Sequence, residues 1–166
     1  QWRGYLELKR AGGIAAPPRM IGAQSVSAPP LLEAFRAGVE RVPTLPYANS
    51  KISGINVPFT GDHALAAVRE SGGAVVGVTD EAVFAMQSRI GREEGIWIEP
   101  ASAASVAALP QLIGQGTIKS DERIVCILSG AGFKDAHLAE AEAAEIGRRE
   151  PVPFEAEAIV EEALAA

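Results

Sequence analysis

The sequence predicts an α/β fold in three layers, with a mostly parallel sheet and helices on both of its faces. Two observations support this prediction. Short apolar runs alternate with stretches of helical periodicity between 74 and 128, and glycine or proline marks nearly every boundary. A strand, helix, strand, helix, strand order makes successive strands parallel, because each helix crosses back over the sheet. With 166 residues, of which 48% are hydrophobic, the chain can form one domain with a real core.

The first part of the chain predicts one strand and three helices around a long loop. Apolar side chains recur at helical spacing before Gly12-Gly13, and glycine commonly ends helices. Closely spaced prolines and glycines between 42 and 61 predict a connecting loop, and loops of this length are more often functional or mobile than idle. The predicted elements are the end of a helix within 1–10, a strand over 19–24, a helix over 31–37, the loop over 42–61, and a helix that Asp62 caps and that runs to Ser71.

From residue 74 onward the pattern becomes regular. Thr79 or Asp80 is expected to cap a helix that Gly95 ends. Pro100 suits the first position of the next helix, because its missing N–H would have no partner there, and Pro110 is expected to kink that helix. The predicted elements are strands over 74–78, 96–98 and 124–128, a helix over 135–149 and a C-terminal extension over 150–166.

Composition argues against several classes of function. A net charge of −6 without clusters of Lys and Arg argues against nucleic-acid binding. No apolar run approaches the length of about 18 residues that a membrane span needs, so we expect no membrane association. Cys126 is the single cysteine, which leaves a reducing cytoplasm as the expected compartment. His63 and His137 lack partners at metal-ligand spacing, so no metal site is expected.

Two polar residues follow apolar strands at the place where ligands bind in an open parallel sheet. Ligands lie beyond the carboxyl ends of the strands, and both Glu99 and Ser129 are expected there. Gly130 and Gly132 leave the Ser129 hydroxyl with little steric cover, so that a planar ring can approach it. The alternatives are that Ser129 caps a helix starting near Lys134, that Glu99 is a solvated strand end, and that the Ala/Ser run after it serves close helix packing.

The run Glu99-Pro100-Ala101-Ser102-Ala103-Ala104-Ser105 and the turn Ser129-Gly130-Ala131-Gly132 together resemble the cofactor-binding end of tryptophan-synthase-like enzymes of fold type II. The similarity is greatest to the threonine synthase family. It extends from Trp2-Arg3-Gly4-Tyr5 through Pro18-Arg19-Met20-Ile21-Gly22 to Phe133-Lys134-Asp135. The resemblance implies part of the large domain of such an enzyme and pyridoxal 5'-phosphate as the cofactor.

The resemblance also assigns roles to individual residues. Ser129 matches the position that hydrogen-bonds the pyridine nitrogen of the cofactor, and Gly130 follows it in the same turn. Glu99 is expected beside the ring, with Ser102 and Ser105 as secondary candidates. Threonine synthases more usually have threonine at the position of Ser129, which keeps a threonine dehydratase or a β-replacing synthase open as an alternative.

By resemblance, the complete protein converts O-phospho-L-homoserine and water to L-threonine and phosphate. We expect an amino-acid substrate and a homodimer. In this family the Schiff-base lysine and the phosphate-binding glycine loop precede the matching segment, and none of the four lysines here (Lys9, Lys51, Lys119 and Lys134) matches that lysine. We therefore expect 1–166 to be the C-terminal, large-domain portion of a longer enzyme, without catalytic residues or activity of its own. A truncated, non-catalytic binding domain is the alternative from another class.

Overall fold

The sheet has two parallel strands, β1 (Ile21–Ser25) and β2 (Ala74–Val78), in the computed structural model of the protein. Ile21 lies opposite Ala74, and the register continues to Ser25 opposite Val78. The structure describes residues 1–136 and the single positions 140, 143, 144, 155, 157, 160, 161 and 164. The chain divides into one unit of residues 1–134 and a second of residues 135–166.

Six α-helices lie within residues 1–136. Two of them, Pro30–Ala37 and Asp80–Glu94, end where Gly38 and Gly95 adopt the left-handed conformation, with φ of 70° and 67°. Short 3-10 turns occur at Ser53–Ile55 and Gly132–Asp135. The helices are α1 (Trp2–Arg10), α2 (Pro30–Ala37), α3 (Asp62–Glu70), α4 (Asp80–Glu94), α5 (Pro100–Ala107) and α6 (Leu109–Gly114).

Alternate residues of β2 pack against helices on opposite faces of the sheet. Val76 and Val78 belong to the larger apolar cluster, with side chains of α4, α5 and α6. Val75 packs against a smaller cluster formed by buried residues of α2 and α3. Because successive side chains of a strand point to opposite faces, this division produces helix, sheet and helix layers. The predicted α/β class, with a parallel sheet and helices on both faces, is confirmed.

Two predicted strands do not form strands. In the segment 96–98, only Ile98 is paired, through an isolated antiparallel bridge to Ala131. The segment 124–128 has no strand partner among the described residues, and Val125 is 85% exposed. An apolar run predicts what a segment can bury, whereas a strand also needs a neighbour whose backbone completes the ladder. The prediction of 96–98 and 124–128 as sheet strands is therefore wrong for this structure.

Three predicted boundary residues have different outcomes. Thr79 is the N-cap of α4 and accepts a hydrogen bond from the Ala82 N–H at 3.2 Å, as predicted. Asp62 is the first residue of α3 rather than its cap, and its Oδ1 accepts from the Val42 N–H at 2.8 Å. Pro110 lies in the first turn of α6, where the predicted kink takes the form of a break between α5 and α6.

The second unit contains the predicted helix over 135–149 and the extension over 150–166, most of which lie outside the described residues. Positions 140, 143 and 144 are helical, as are 157, 160, 161 and 164. Among the helices of the described residues, none has the length and apolar character needed to cross a membrane. The described part also contains no group of three or more His, Cys, Asp or Glu residues placed to hold a metal ion.

Candidate functional site

Ser102, in the first turn of α5, joins that helix to the turn at Ser129. Ser102 is 5% exposed, and its hydroxyl accepts a hydrogen bond from the Ser129 N–H at 3.0 Å. The same hydroxyl contacts the Ser129 carbonyl oxygen. The Oγ atoms of the two serines lie 3.4 Å apart, and Ser129 itself is exposed. The buried serine thus fixes the backbone of the exposed one.

Gly130 lies directly against the Glu99 carboxylate. Its φ is 73°, a conformation that favours glycine. A Cβ at this position would overlap the carboxyl carbon and both oxygens of Glu99. Gly130 is therefore needed both for its backbone conformation and for the space that the carboxylate occupies.

An ion pair and two backbone hydrogen bonds hold the Glu99 region against the turn. Lys134 Nζ lies 3.1 Å from Glu99 Oε2, with the lysine side chain 65% exposed and the glutamate side chain 22% exposed. The Gly132 N–H donates to the Trp97 carbonyl at 3.0 Å, and the Glu99 N–H donates to the Gly130 carbonyl at 3.3 Å. These contacts make residues 97–99 and 129–134 one structural unit.

Trp97 packs on the second glycine of the turn. A Cβ at Gly132 would overlap the indole ring of Trp97 and approach the Ile98 carbonyl oxygen to 2.7 Å. The indole Nε1 is buried and has no hydrogen-bond partner in the structure. Trp97 was not among the predicted site residues. The signal that could have identified it is the second glycine of the Ser-Gly-x-Gly turn, which a flat side chain can cover.

The structure brings the four principal predicted site residues together: Glu99, Ser102, Ser129 and Gly130. The secondary candidate Ser105 differs, because its hydroxyl donates to the Ser102 carbonyl at 2.9 Å, within α5. The neighbour of the Ser129 hydroxyl is Ser102 rather than an amide of the following 3-10 turn, where the Lys134 N–H donates to the Ala131 carbonyl at 3.2 Å. The arrangement does not show Ser129 as the cap of a helix near Lys134.

A second polar cluster, which the sequence analysis missed as a site feature, lies at the carboxyl ends of β1 and β2. Asp80, at the start of α4, is 7% exposed and accepts hydrogen bonds from Ser25 and Ser50. The signal in the sequence was only an Asp beside a helix cap, which is common on protein surfaces. Its burial depends on a serine that comes 55 residues earlier.

The chemistry of the site suits a pyridine ring. Ser129 is an exposed residue with a neutral hydroxyl, a group that can donate to a ring nitrogen without carrying a charge. The nearby carboxylate of Glu99 is paired with Lys134. Ser129 lies on the turn, and Glu99 immediately precedes the helix, that the resemblance assigns to the cofactor.

Comparisons with known proteins identify the family of the chain. The family model described as pyridoxal-phosphate dependent enzyme matches residues 2–130. Threonine synthase of Methanocaldococcus jannaschii is 41% identical over 142 residues, which cover 83% of this chain and 35% of that protein. Threonine synthase of Mycobacterium leprae is 34% identical over 161 residues, covering 97% of this chain and 42% of its own length. The chain therefore spans about two fifths or less of these relatives.

Solved structures support the fold. The processed form of threonine deaminase isoform 2 from Solanum lycopersicum superimposes with a TM-score of 0.65 at 20% identity, covering 87% of this chain and 40% of the other. Maize serine racemase superimposes with a TM-score of 0.52 at 24% identity, covering 64% of this chain and 32% of the other. Both are enzymes of fold type II, and the present chain is a partial α/β domain of the same kind. From the family match, the relatives and this fold together, we conclude that the chain belongs to the family of pyridoxal-phosphate dependent enzymes.

Proposed function

We propose that the complete protein containing this chain is a threonine synthase, which converts O-phospho-L-homoserine and water to L-threonine and phosphate. The observation that carries the proposal is that Ser129, Ser102 and Glu99 lie together where the turn at Ser129 meets the start of α5. They do so in a chain that is 41% and 34% identical to two threonine synthases over most of its length. The activity belongs to the whole protein, because this chain spans only 35% and 42% of those relatives.

In this proposal the residues of the chain bind and orient the cofactor. Ser129 donates its hydroxyl hydrogen to the pyridine nitrogen, and Ser102 holds the Ser129 backbone in place. Gly130 and Glu99 form the surface beside the ring. Bound pyridoxal phosphate supplies an electron sink for elimination and replacement at the β or γ carbon of an amino acid. A neutral hydroxyl leaves the ring nitrogen unprotonated, which restrains that sink and favours such reactions over transamination.

The alternative within the same family is a threonine dehydratase or a β-replacing synthase. The observation favouring it is the serine at position 129, where threonine synthases more usually have threonine. Assay of the complete protein with O-phospho-L-homoserine, L-threonine and O-acetyl-L-serine distinguishes them. Release of phosphate with formation of threonine supports the synthase, whereas release of a 2-oxo acid from threonine overturns it.

Substitutions at Ser129 test the cofactor site. In the complete protein, Ser129→Ala should weaken cofactor affinity about fivefold or more, which corresponds to about 1 kcal/mol for one lost hydrogen bond to a buried partner. Ser129→Asp should keep the ring nitrogen protonated and increase side reactions. Ser129→Thr keeps a hydroxyl and should keep the cofactor affinity. The control Ser120→Ala alters a serine outside the proposed site.

Cofactor titration measures the affinity, and product analysis measures the side reactions. Unchanged affinity and product ratios in Ser129→Ala and Ser129→Asp would refute the assignment.

We also propose that residues 1–166 alone have no catalytic activity and that the complete protein is a homodimer. The four lysines of the chain are Lys9, Lys51, Lys119 and Lys134; all are exposed, and Lys134 is paired with Glu99. Incubation with pyridoxal phosphate, borohydride reduction and peptide mapping should label them weakly and without preference. One stoichiometrically labelled lysine together with turnover would contradict the first proposal. Light scattering of the complete protein tests the second.

A further inference from the structure

Asp80 is a buried carboxylate with three hydrogen-bond donors. Its Oδ1 accepts from the Ser25 hydroxyl at 2.9 Å and from the Ser50 hydroxyl at 2.8 Å. Its Oδ2 accepts from the Lys51 N–H at 2.6 Å. A buried carboxylate is costly unless its oxygens are satisfied, and here hydroxyl and amide donors occupy both of them.

The three donors come from different parts of the chain. Ser25 is the last residue of β1, and Ser50 and Lys51 belong to the long loop between 42 and 61. Asp80 itself begins α4, just beyond β2. One side chain therefore fastens the loop to the carboxyl ends of both strands, which is the edge where ligands bind in an open parallel sheet.

Further hydrogen bonds hold the loop at and after this anchor. The Ser50 N–H donates to Asn56 Oδ1 at 2.9 Å, and the Ile52 N–H donates to the Ser50 hydroxyl at 3.1 Å. Ile52 is 2% exposed and belongs to the larger apolar cluster. We call residues 49–56 the anchored segment.

The anchored segment lies against the helix that carries the candidate site. A Cβ built on Gly54 would come within 2.7 Å of the Ala101 Cβ, closer than such atoms approach in proteins. Ala101 lies between Pro100 and Ser102 in the first turn of α5. A movement of the anchored segment would thus displace Ala101, which is the residue before Ser102, the serine that holds Ser129.

We propose that Asp80 is a positioning residue of the cofactor site. It fixes the anchored segment as a wall beside the first turn of α5, and through that wall it keeps Ser102 and Glu99 in the arrangement that the cofactor needs. Asp80 acts through its hydrogen bonds and touches neither cofactor nor substrate. The inference rests on pyridoxal phosphate as the cofactor of the site and does not depend on the threonine synthase reaction.

The test uses the complete protein and the pair Asp80→Asn and Asp62→Asn. Both aspartates begin a helix and accept a backbone N–H from the same long loop, but Asp62 is exposed and binds its other end, at Val42. Asp80→Asn should speed amide hydrogen exchange over residues 49–52 about tenfold or more and weaken cofactor affinity about fivefold or more. Asp62→Asn should change neither the amide exchange over residues 49–52 nor the cofactor affinity by these amounts.

Ser50→Ala is a milder variant for the case in which Asp80→Asn fails to fold. It removes the donor on the loop side and should speed exchange over the same residues, with a smaller loss of cofactor affinity. Unchanged exchange over 49–52 in a folded variant would overturn the anchoring role. Faster exchange with unchanged cofactor affinity would show that the anchored segment does not position the cofactor site. An absence of cofactor binding in the unmodified protein would instead refute the assigned cofactor site.

Discussion

At the scale of single residues, the site depends on close contacts between groups that are distant in the sequence. Gly130 illustrates this, because its positive φ and its contact with Glu99 are separate requirements of one position. The positive φ is a property of the turn, and the contact with Glu99 is a property of the packing. Substitutions can separate the free-energy costs of these two requirements.

Gly130→Ala and Gly116→Ala form a matched pair. Both glycines have positive φ, 73° and 68°, but a Cβ at Gly116 meets nothing within 4 Å. Gly116→Ala should cost about 1–2 kcal/mol in the free energy of unfolding, for the left-handed conformation alone. Gly130→Ala should cost more and displace the Glu99 carboxylate. Urea unfolding measures both. The double variant Gly130→Ala/Glu99→Ala should recover the excess, and equal costs at the two glycines would contradict the steric argument.

We expect Asp80 to make the free energy of unfolding depend on pH in acid. Burial alone raises the pKa of Asp80, but hydrogen bonds from the Lys51 amide, Ser50 and Ser25, with the Lys51 charge, outweigh it and hold the pKa below its ordinary value of 3.8. The unfolded chain then binds the proton more readily than the folded one. The stabilisation is fully present above the ordinary value and is lost as pH falls through the lower, folded value.

Asp80→Asn should therefore flatten the acid limb of the stability curve. Urea midpoints between about pH 2 and 6 should show the unmodified protein losing its advantage over the variant as pH falls. Asp62→Asn serves as the control, since Asp62 is exposed and accepts a single backbone hydrogen bond. A constant difference between the unmodified protein and Asp80→Asn across this range would contradict the ionised, hydrogen-bonded carboxylate.

At the scale of elements, the helices follow local signals more closely than the strands do. Thr79 and Gly95 bound α4 as the sequence predicts, because capping and the left-handed stop are local interactions. The segments 96–98 and 124–128 carry equally clear apolar patterns without forming strands, since a partner strand is not a local property. The same reasoning applies to Gly54, whose role comes from the helix that passes over it.

The approach of the 3-10 turn Ser53–Ile55 to α5 can be tested by exchanging a methyl group. Gly54→Ala should cost about 1–3 kcal/mol, because the added methyl meets the Ala101 Cβ at a distance that requires one of the two backbones to shift. The double variant Gly54→Ala/Ala101→Gly should recover part of that cost, beyond the cost of about 1 kcal/mol for glycine within a helix. A double-mutant cycle from urea unfolding gives the coupling. Additive costs would show that the two groups do not meet.

At the scale of the whole molecule, the chain exposes apolar surface along an extended segment. Val125 is 85% and Ile127 50% exposed, and Phe133 is 75% exposed shortly after them. An extended apolar segment offers unpaired backbone groups together with side chains that water disfavours. Residues 1–166 as an isolated chain should therefore associate as concentration rises.

Val125→Lys/Ile127→Lys should reduce this association, measured by size-exclusion chromatography and hydrophobic dye binding. The matched control is Tyr47→Lys/Phe59→Lys, which removes two side chains that are 72% and 62% exposed in the long loop. The control should change association less, since scattered exposed side chains do not form an edge. A monodisperse isolated chain with cooperative unfolding at high temperature would contradict the expectation.

The sequence by itself determined the α/β class and most helix boundaries, because these rest on local periodicity and capping. It also predicted, through the resemblance of short motifs, the residues Glu99, Ser102, Ser129 and Gly130, which the structure brings together. Only the tertiary structure decided that Ser102 holds Ser129, that Lys134 pairs with Glu99 and that Asp80 is buried. It also decided that two apolar runs remain outside the sheet. The physical reason is the same in each case: the energy of a buried polar group or of a strand depends on partners that are distant in sequence, and no local pattern specifies them.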